Sequence, residues 1–448
     1  MDNDVRWFKN NLACSVFEGF VLVPFSSLLL LIASPPIGQG FIITNLSVSA
    51  SKWYNNPMLR SLKGLYHLLV AIYANIRFGF PGRKLIVIGV TGTDGKTTTT
   101  TLIYEILKNA GHKTSMITSV HAVIAGKTYD TGFHVTTPNA FWVQKYLREA
   151  VDHKDTHMVL EVTSHALSQS RVFGVPFAAG VITNVTHEHL DWHKTFEQYM
   201  KTKLLLLKRA RVAVVNRDEA EVYNRAMPLL RRKTVITYGI RRDAKITPRN
   251  YPFTTTLLGQ FNRYNCLAAI ATAFALDIPK KIVQRTVSEY SGLVGRMEVV
   301  QREPYMIIVD FAHTPNAIDK ALRTARALTK KRLIHVFGSA GLRDATKRPL
   351  MGKASGKYAD IIILTEEDYR TENVETIMDE ITAGIEPGPQ IYRFPNRQNA
   401  IDFAVKTAQP KDLIIITGKG HEKSLCRGKT EYPWTDQAGV TKALKLLS

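Results

Sequence analysis

The chain has 448 residues, 45% hydrophobic and 22% charged, which predicts two or three packed globular domains and excludes a disordered or fibrous protein. The net charge of +21 indicates an anionic partner, and because no nucleic-acid motif is present, anionic small molecules or a membrane surface rank first. Three widely separated cysteines without a CxxC pair exclude a disulfide framework and predict a reducing compartment.

Residues 1–82 are more apolar than the rest of the chain. Val16–Ala33 is apolar apart from Glu18 and two serines, and Leu65–Phe80 is a second apolar stretch. The first stretch is just long enough to cross a bilayer, but Glu18 and Pro24 count against a span. A helix that lies on the membrane, or one packed in a core, remains an alternative. We therefore expect residues 1–82 to form an apolar helical region that contacts a membrane surface.

The charges near the N-terminus indicate on which side of a membrane the rest of the protein would lie. Basic residues after Val16–Ala33 favour a cytoplasmic body at the inner face of the membrane if that segment inserts. Acidic residues near the N-terminus do not fit a secretory signal peptide. Met58 is a second plausible start of the protein, so it stays open whether residues 1–57 belong to the mature protein.

The stretch Lys84–Thr101, KLIVIGVTGTDGKTTTTT, combines a buried strand, a glycine-rich turn and the start of a helix. Backbone N–H groups at a helix start bind phosphate, and a lysine there adds positive charge for the outer phosphates. The spacing departs from the strict P-loop, because Val90 stands where the first glycine belongs. We predict an ATP site with Mg²⁺ on a threonine hydroxyl; the loop residues are Gly92, Thr93, Asp94, Gly95, Lys96, Thr97 and Thr98.

Strands and helices then alternate twice. The first series has predicted strands at Lys113–Ile117, His157–Val162, Ala179–Asn184 and Val212–Asn216, with helices at Thr97–Ala110 and Ala140–Val151. The second has strands at Met306–Asp310, Leu333–Gly338, Ile361–Thr365 and Leu413–Gly418, with a helix at Pro315–Leu328. The predicted fold class is α/β: a P-loop-type doubly wound domain at 83–294, and a Rossmann-like domain at 295–448 beyond a hinge near Ser291–Gly295.

A histidine cluster follows the strand ends of the first series. It comprises His165, His187, His189, Asp191 and His193. Histidine and aspartate at short spacing can chelate zinc. Mg²⁺ takes oxygen ligands and serves ATP chemistry, so we favour magnesium and keep zinc as the alternative.

Ten strings in a fixed order carry a family resemblance. They are TGTDGKT, TTPN, EVTSHAL, TNVTHEHLDWH, YMKTK, GQFNRYN, GRMEV, VDFAHTPNA, GLRDATKRPLMG and GKGHE. The chain from about residue 84 to 448 resembles the Mur ligase family, most closely its UDP-N-acetylmuramyl-tripeptide synthetases. The resemblance implies a ligase that phosphorylates a peptide carboxylate with ATP, and an amino group then attacks the acyl phosphate to form an amide.

The resemblance also implies roles for individual residues. Catalysis falls to Lys96, Glu161, His189, Lys203 and Arg296, with Mg²⁺ held by Thr97, Glu161, His189 and a carbamylated Lys203. ATP is held further by Asn262, Asn265, Arg296 and Asp310. Substrates are contacted by Thr136, Thr137, Ser164, Arg171, His313, Arg343, Asp368, Arg370, Gly418 and Glu422. Arg296 is expected to reach the phosphates when the C-terminal domain closes.

The implied partners are a UDP-linked muramyl dipeptide and a free amino acid, with the chain acting as a cytoplasmic monomer. The loop Glu367–Arg370 keeps the arginine of the family's diaminopimelate-reading D-N-P-R motif but not its asparagine or proline, which favours diaminopimelate over lysine. Residues 1–82 do not resemble the family's domain for the uridine diphosphate. A lipid-linked or other acid acceptor, and a membrane-associated nucleotide-binding scaffold, therefore remain alternatives.

Overall fold

A computed structural model describes residues 57–129, 137–186 and 195–446, with side chains from Lys63 onward. The chain divides into two units, residues 1–62 and 63–448. Of the first unit, only the backbone of residues 57–62 is described, at the start of helix α1, Pro57–Phe78. The predicted apolar segment Val16–Ala33 lies outside the described residues. No helix within the described ranges is long and apolar enough to cross a membrane.

An eight-stranded sheet forms the first half of the second unit, in the order β4-β3-β2-β5-β1-β6-β7-β8. Six of its strands are parallel, and β3 and β4 form an antiparallel hairpin at one edge. The strands are β1 Ile86–Thr91, β2 Thr114–Ile117, β3 Ala122–Ile124, β4 Lys127–Tyr129, β5 His157–Glu161, β6 Phe177–Ile182, β7 Val212–Asn216 and β8 Thr234–Tyr238.

Helices cover both faces of this sheet, so its central strands are apolar on both sides. They are α2 Lys96–Asn109, α3 Ala140–Asp152, α4 Ser164–Ser168, α5 Phe196–Arg209, α6 Ala220–Ala226, α7 Gln260–Ala275 and α8 Lys280–Glu289. On one face, Ile88 and Val90 pack against α2 and α7; on the other, Val87 and Phe177 pack against Leu206 and Leu147. Each such fully buried aliphatic side chain contributes roughly 1.5–3 kcal/mol.

A six-stranded sheet forms the second half, in the order β13-β12-β11-β14-β10-β9. All neighbours are parallel except β9, which runs antiparallel to β10. Its strands are β9 Glu298–Gln301, β10 Met306–Asp310, β11 Leu333–Phe337, β12 Ile361–Thr365, β13 Gln390–Phe394 and β14 Leu413–Thr417, followed by the hairpin β15 Ser424–Arg427 and β16 Thr430–Pro433. Its helices are α9 Pro315–Leu328, α10 Lys347–Gly356, α11 Val374–Thr382, α12 Arg397–Thr407 and α13 Asp436–Lys445.

The predicted α/β architecture is confirmed, and strands Val212–Asn216, Met306–Asp310 and Ile361–Thr365 have the predicted bounds. The prediction of Ala179–Asn184 is wrong by two residues at each end, because the apolar run starts at Phe177 and the chain turns into a polar loop after Ile182. Thr183 and Asn184 therefore lie in that loop and not in the strand. From the loop, their side chains can contact the phosphate loop.

Candidate active site

The phosphate loop lies between β1 and α2 and is braced by the loop after β6. Asp94 donates its backbone N–H to Oδ1 of Asn184 at 2.9 Å, and Thr183 donates its hydroxyl to the carbonyl of Asp94 at 2.6 Å. Both loop glycines have positive φ and are tightly enclosed: a Cβ on Gly92 would lie 1.8 Å from Oγ1 of Thr183, and one on Gly95 2.1 Å from Oδ1 of Asn265. The loop therefore has a fixed shape that only these glycines permit.

Lys96 and Thr97 open helix α2, as the sequence predicted. Lys96 folds back and donates from Nζ to the carbonyl of Thr93 at 2.7 Å. Its ammonium thus lies over the same loop whose backbone N–H groups would bind phosphate. Thr98, the next residue of the helix, is buried.

The oxygen atoms expected to hold Mg²⁺ are brought together through Ser119. Oγ of Ser119 lies 2.9 Å from Oγ1 of Thr97, and Ser119 donates its backbone N–H to Glu161 at 3.0 Å and its hydroxyl to the same carboxylate at 3.2 Å. A threonine hydroxyl and a buried carboxylate are the hard oxygen ligands that Mg²⁺ prefers. Ser119 was missed from the sequence, because it follows β2 without any motif.

Of two predicted metal-site residues, Lys203 lies within the described ranges and His189 does not. His189 lies outside the described residues, as do His187, Asp191 and His193, so the zinc alternative is not tested here. No cluster of three histidine, cysteine, aspartate or glutamate side chains suited to a metal occurs in the described ranges. Lys203 is buried on α5, where its Nζ donates to the carbonyl of Gly92 at 2.6 Å and lies 4.4 Å from the ring of Tyr199. The lysine therefore does reach the phosphate loop.

Asn262 and Asn265 lie at the start of α7, buried beside the phosphate loop. Nδ2 of Asn265 donates to Oδ1 of Asn262 at 2.9 Å, and Asn262 in turn donates to the carbonyl of Leu258 at 2.8 Å. This chain of hydrogen bonds fixes both amides against Gly95. The structure thus places both asparagines, which are predicted to bind nucleotide, beside Gly95 of the phosphate loop.

The residues predicted to contact the acceptor meet behind Glu161. Thr137 donates its hydroxyl to the carbonyl of Glu161 at 2.8 Å, and Arg171 donates from Nη1 to the carbonyl of Thr137 at 2.5 Å. Burial lowers the pKa of Arg171. Ser164 is buried at the start of α4, and Thr136 lies outside the described residues. The structure therefore clusters Thr137, Ser164 and Arg171 at the carboxyl end of β5.

Arg296 belongs to the second half of the chain and lies near acidic residues of the first. Its Nε is buried without a hydrogen-bond partner among the described residues, and its guanidinium lies 4.4 Å from the ring of Phe311. Burial lowers the pKa of Arg296, while the charges of Asp310, Glu161, Asp94 and Glu422 act in the opposite direction. The charge of Arg296 therefore interacts with carboxylates of the phosphate loop, of the predicted Mg²⁺ site and of the second sheet.

Asp310 and His313 follow strand β10. Asp310 accepts backbone N–H groups from Met297 at 2.7 Å and Ala312 at 2.9 Å, and burial raises the pKa of its carboxyl despite Arg296. His313 donates from Nδ1 to the carbonyl of Phe311 at 3.0 Å, and burial lowers its pKa to about 3. His313 is therefore neutral at physiological pH.

The loops after β12 and β14 bring charged side chains together, and we call this group the charged pocket. Lys419 is fully buried and lies 2.8 Å from Asp368 and 2.5 Å from Glu422. Oε2 of Glu367 is buried with no hydrogen-bond partner in the described part of the chain, and burial raises the pKa of Glu367 to about 7. A Cβ on Gly418 would lie 2.9 Å from that oxygen, so a larger residue at this position would crowd the carboxyl of Glu367.

Two arginines flank this pocket. Arg370 has a left-handed φ of 53° and donates from Nη1 to the carbonyl of Gly341 at 2.7 Å. Arg343 is exposed on the loop that follows Gly341. Asp368 is held inside the fold by Lys419 and by the backbone N–H of Cys426 at 2.9 Å. Glu367, outside the predicted contact set, is consequently the better candidate to meet a ligand.

Two family models match the chain: Mur ligase middle domain over residues 90–273, and Mur ligase, glutamate ligase domain over residues 295–420. A UDP-N-acetylmuramoyl-L-alanyl-D-glutamate–2,6-diaminopimelate ligase of Aquifex aeolicus is 39% identical over 385 residues, 82% of this chain and 79% of its own. A UDP-N-acetylmuramyl-tripeptide synthetase of Roseiflexus is 36% identical over 408 residues, 82% of this chain and 80% of its own.

Solved structures agree on the fold. A UDP-N-acetylmuramoyl-L-alanyl-D-glutamate–2,6-diaminopimelate ligase superposes with a TM-score of 0.57 at 29% identity, covering 81% of this chain and 79% of its own. A folylpolyglutamate synthase of Mycobacterium tuberculosis, complexed with ADP and AMPPCP, gives a TM-score of 0.64 at 16% identity, covering 84% and 94%. The second likeness shows the shared fold alone.

Proposed function

Because this chain belongs to the Mur ligase family, we propose that it uses ATP to join an amino acid to the terminal carboxylate of a UDP-N-acetylmuramyl dipeptide. Members of the family are ATP-dependent ligases that form amide bonds. The relatives named 2,6-diaminopimelate ligases support meso-diaminopimelate as the amino acid. The product is a peptidoglycan precursor, and the need for ATP assigns the reaction to the cytoplasm.

The environment of Arg296 is the observation that carries this proposal. A ligase of this kind needs one place where phosphate, acceptor carboxylate and incoming amine meet. Arg296 belongs to the second half of the chain, yet its charge is coupled to Asp94 of the phosphate loop, to Glu161 beside the acceptor residues and to Glu422 of the charged pocket. The guanidinium is therefore close enough to acidic groups of three parts of the proposed site for their charges to raise its pKa.

The described residues fit ATP and Mg²⁺. The enclosed glycines Gly92 and Gly95 leave backbone N–H groups for phosphate, and the buried Nε of Arg296 has no partner in the described chain. Thr97 and Glu161 would hold Mg²⁺, with His189 and a carbamylated Lys203 as the further ligands that the family resemblance implies. When bound, ATP supplies the phosphoryl group that activates the acceptor carboxylate, and Mg²⁺ offsets the charge on the phosphate oxygens.

The chain's own contribution is positioning and charge. Lys96 and Arg296 approach from opposite halves and stabilise the negative charge that grows on the transferring group. Thr137 and Arg171 form a polar surface next to Glu161 that orients the acceptor carboxylate. We take residues 83–294 and 295–448 as the two domains whose closure brings these groups together.

The charged pocket suits an amino acid with two zwitterionic ends. Arg370 and the exposed Arg343 would bind a carboxylate, since guanidinium pairs well with that group. Glu367 and Glu422 would bind an ammonium. Diaminopimelate carries one more carboxylate than lysine, so a pocket flanked by two arginines supports the former.

The acceptor substrate could also be linked to a lipid. Because residues 1–82 do not resemble the family's nucleotide-holding domain, a lipid-linked muramyl peptide would suit this apolar and basic region. A non-catalytic scaffold descended from such a ligase would be expected to lose key residues. The sequence keeps Lys96, Glu161, Lys203 and Arg296, which supports an active enzyme.

The test is release of phosphate from ATP by the full-length chain, with each substrate omitted in turn. We expect release only when Mg²⁺, the UDP-linked dipeptide and diaminopimelate are all present, with less release when lysine replaces diaminopimelate. Release with a lipid-linked acceptor but not with the soluble one would replace the proposed acceptor. No release with any amino acid or acceptor would contradict the ligase activity and favour the scaffold.

A further inference from the structure

Helix α1 exposes a stripe of large apolar side chains, and this surface has no part in the proposed reaction. Leu65, Leu69, Ile72 and Ile76 recur at the spacing of one helical face, and Tyr66 and Tyr73 lie along its border. Leu65 is 53% exposed and Ile76 is 64% exposed. We call these six residues the α1 stripe. A contiguous exposed apolar surface of this kind marks an interaction site.

The opposite face of the helix is fixed to the body of the protein, so the stripe cannot simply turn inward. Ala71, Ala74 and Asn75 are buried, and Nδ2 of Asn75 donates to the carbonyl of Phe173 at 2.9 Å. The ring of Phe78 packs edge-on against Phe141 with centroids 5.0 Å apart. The small residues and the amide therefore dock the helix, and its bulky aliphatic residues face outward.

Charge in the sequence segment that contains the stripe is of one sign. The sequence has no aspartate or glutamate between Glu18 and Asp94, and six basic residues lie in that interval: Lys52, Arg60, Lys63, Arg77, Arg83 and Lys84. Arg77, Arg83 and Lys84 are exposed at the carboxyl end of α1 and just beyond it. An apolar stripe bordered by tyrosines and flanked only by cations is typical of a helix that lies in the interface of an anionic membrane.

Further exposed cations lie at the edge of the first sheet where Arg83 and Lys84 enter β1. Parallel strands begin at one common edge, so the residues that precede β2, β5, β7 and β8 lie along it. The exposed basic residues among them are Lys113, Lys154, Lys208, Arg209, Arg211, Arg231 and Arg232, and the exposed Asp152 of this edge is paired with Arg148. Basic residues near an anionic bilayer attract it, so this edge would strengthen attraction to such a surface.

We propose that the α1 stripe and the cations beside it bind the surface of an anionic phospholipid bilayer, so that the protein is a peripheral membrane protein. The aliphatic side chains enter the boundary between headgroups and acyl chains, and Arg77, Arg83 and Lys84 pair with lipid phosphates. His67 lies between the stripe and the docked face. Burial lowers the pKa of His67, and the charge of the nearby Arg171 lowers it further. The bound bilayer would thus lie close to the acceptor residues.

The test is flotation of the full-length chain with vesicles of phosphatidylcholine alone or with about 30 mol% phosphatidylglycerol. We expect binding to the anionic vesicles and at least about tenfold weaker partitioning into the neutral ones, with a further loss at high salt. Equal binding to both vesicles, or no binding to either, would overturn the proposal. Vesicle binding needs neither ATP nor substrate, so its outcome is independent of the ligase assay.

Variants locate the surface. Leu69→Gln, Ile72→Gln and Ile76→Gln together should lower partitioning about tenfold or more, while a matched triple of exposed leucines elsewhere, Leu328→Gln, Leu350→Gln and Leu446→Gln, should not. Unchanged thermal unfolding of both triples would show that each remains folded. If the stripe variant floats as well as the parent chain, residues outside the stripe bind the lipid and the assignment is wrong.

Charge variants separate a bilayer from another polyanion. Arg77→Gln, Arg83→Gln and Lys84→Gln should also lower partitioning into anionic vesicles by about tenfold. A nucleic acid would depend on the cations but not on the apolar side chains. Loss of binding in the charge variant with full binding in the stripe variant would therefore contradict insertion into a bilayer.

Discussion

The ammonium of Lys320 lies 2.9 Å from Oδ2 of Asp94, so that helix α9 of the second sheet is paired with the phosphate loop of the first. Asn316, one turn earlier on α9, donates to the same oxygen at 3.0 Å. Burial would raise the pKa of Asp94, but Lys320, together with the charge of Lys96, holds that pKa below its usual range. This pair links the position of the second sheet to the shape of the loop that would bind phosphate.

The first prediction concerns this link. Lys320→Gln removes the ion pair but keeps a polar side chain, and we expect kcat to fall roughly three- to tenfold because closure becomes less favourable. Lys357→Gln is the matched control. Lys357 is an exposed lysine at the end of α10, and it pairs with Asp319 of the same half of the protein. Steady-state kinetics of both variants provide the measurement, and equal rates in the two would show that Lys320 does not act through closure.

Much of this architecture follows from local sequence. The apolar run before TGTDGKT predicted β1, and GKT placed Lys96 and Thr97 at the start of α2, because strand, turn and helix signals agree there. Strands such as Met306–Asp310 were equally clear, since they are uniformly apolar and end at a polar residue.

Residues that depend on tertiary contacts could not be predicted in this way. Ser119 joins Thr97 to Glu161, and Lys320 reaches Asp94 across 226 positions of sequence. Neither residue belongs to a local pattern that distinguishes it from other surface serines or lysines. Glu367 is similar: its loop was noticed for Arg370, but only the three-dimensional structure shows that Oε2 of Glu367 is buried without a hydrogen-bond partner among the described residues.

The second prediction concerns Glu161 as a ligand of Mg²⁺. Glu161→Gln keeps the size of the side chain and an acceptor for the N–H of Ser119, but it removes the negative charge. We expect phosphate release to fall by about 100-fold or more, with a higher Mg²⁺ concentration needed for half-maximal rate. Ser119→Ala should cost less, because the carboxylate remains. A Glu161→Gln variant with an unchanged Mg²⁺ requirement would argue against a metal ligand.

The third prediction concerns carbamylation of Lys203. Lys203→Arg keeps a positive charge but cannot form a carbamate, and we expect about a 100-fold loss of activity if the carbamate is a ligand. Lys201→Arg, two residues earlier and exposed, is the control and should retain full activity. Partial recovery of a Lys203→Ala variant by added short carboxylic acids would support the carbamate. Full activity of Lys203→Arg would remove it from the mechanism.

The fourth prediction follows from the raised pKa of Glu367, which is about 7 in the folded chain against 4.5 for an unperturbed glutamate. Both states hold the proton below about pH 4.5, whereas between pH 4.5 and 7 only the folded state does. The stabilisation is therefore complete at low pH and is lost as pH rises to about 7, on the order of 3 kcal/mol in total. Urea unfolding of Glu367→Gln should show a smaller loss of stability from pH 5 to pH 8 than the parent chain. Parallel losses in both would contradict a protonated Glu367.

The last prediction tests amino-acid selection by Arg370. Its guanidinium is anchored by the carbonyl of Gly341 on one side, and the left-handed backbone at this residue fixes where the side chain starts. Arg370→Ala should raise KM for diaminopimelate by roughly 10- to 100-fold, because a carboxylate loses a charge-assisted hydrogen bond. KM for lysine, which lacks that carboxylate, should change little. Arg393→Ala, which removes an arginine paired with Glu375 and Asp379, controls for loss of a surface cation. Equal increases in KM for both amino acids would mean that Arg370 supports the pocket without reading the second carboxylate.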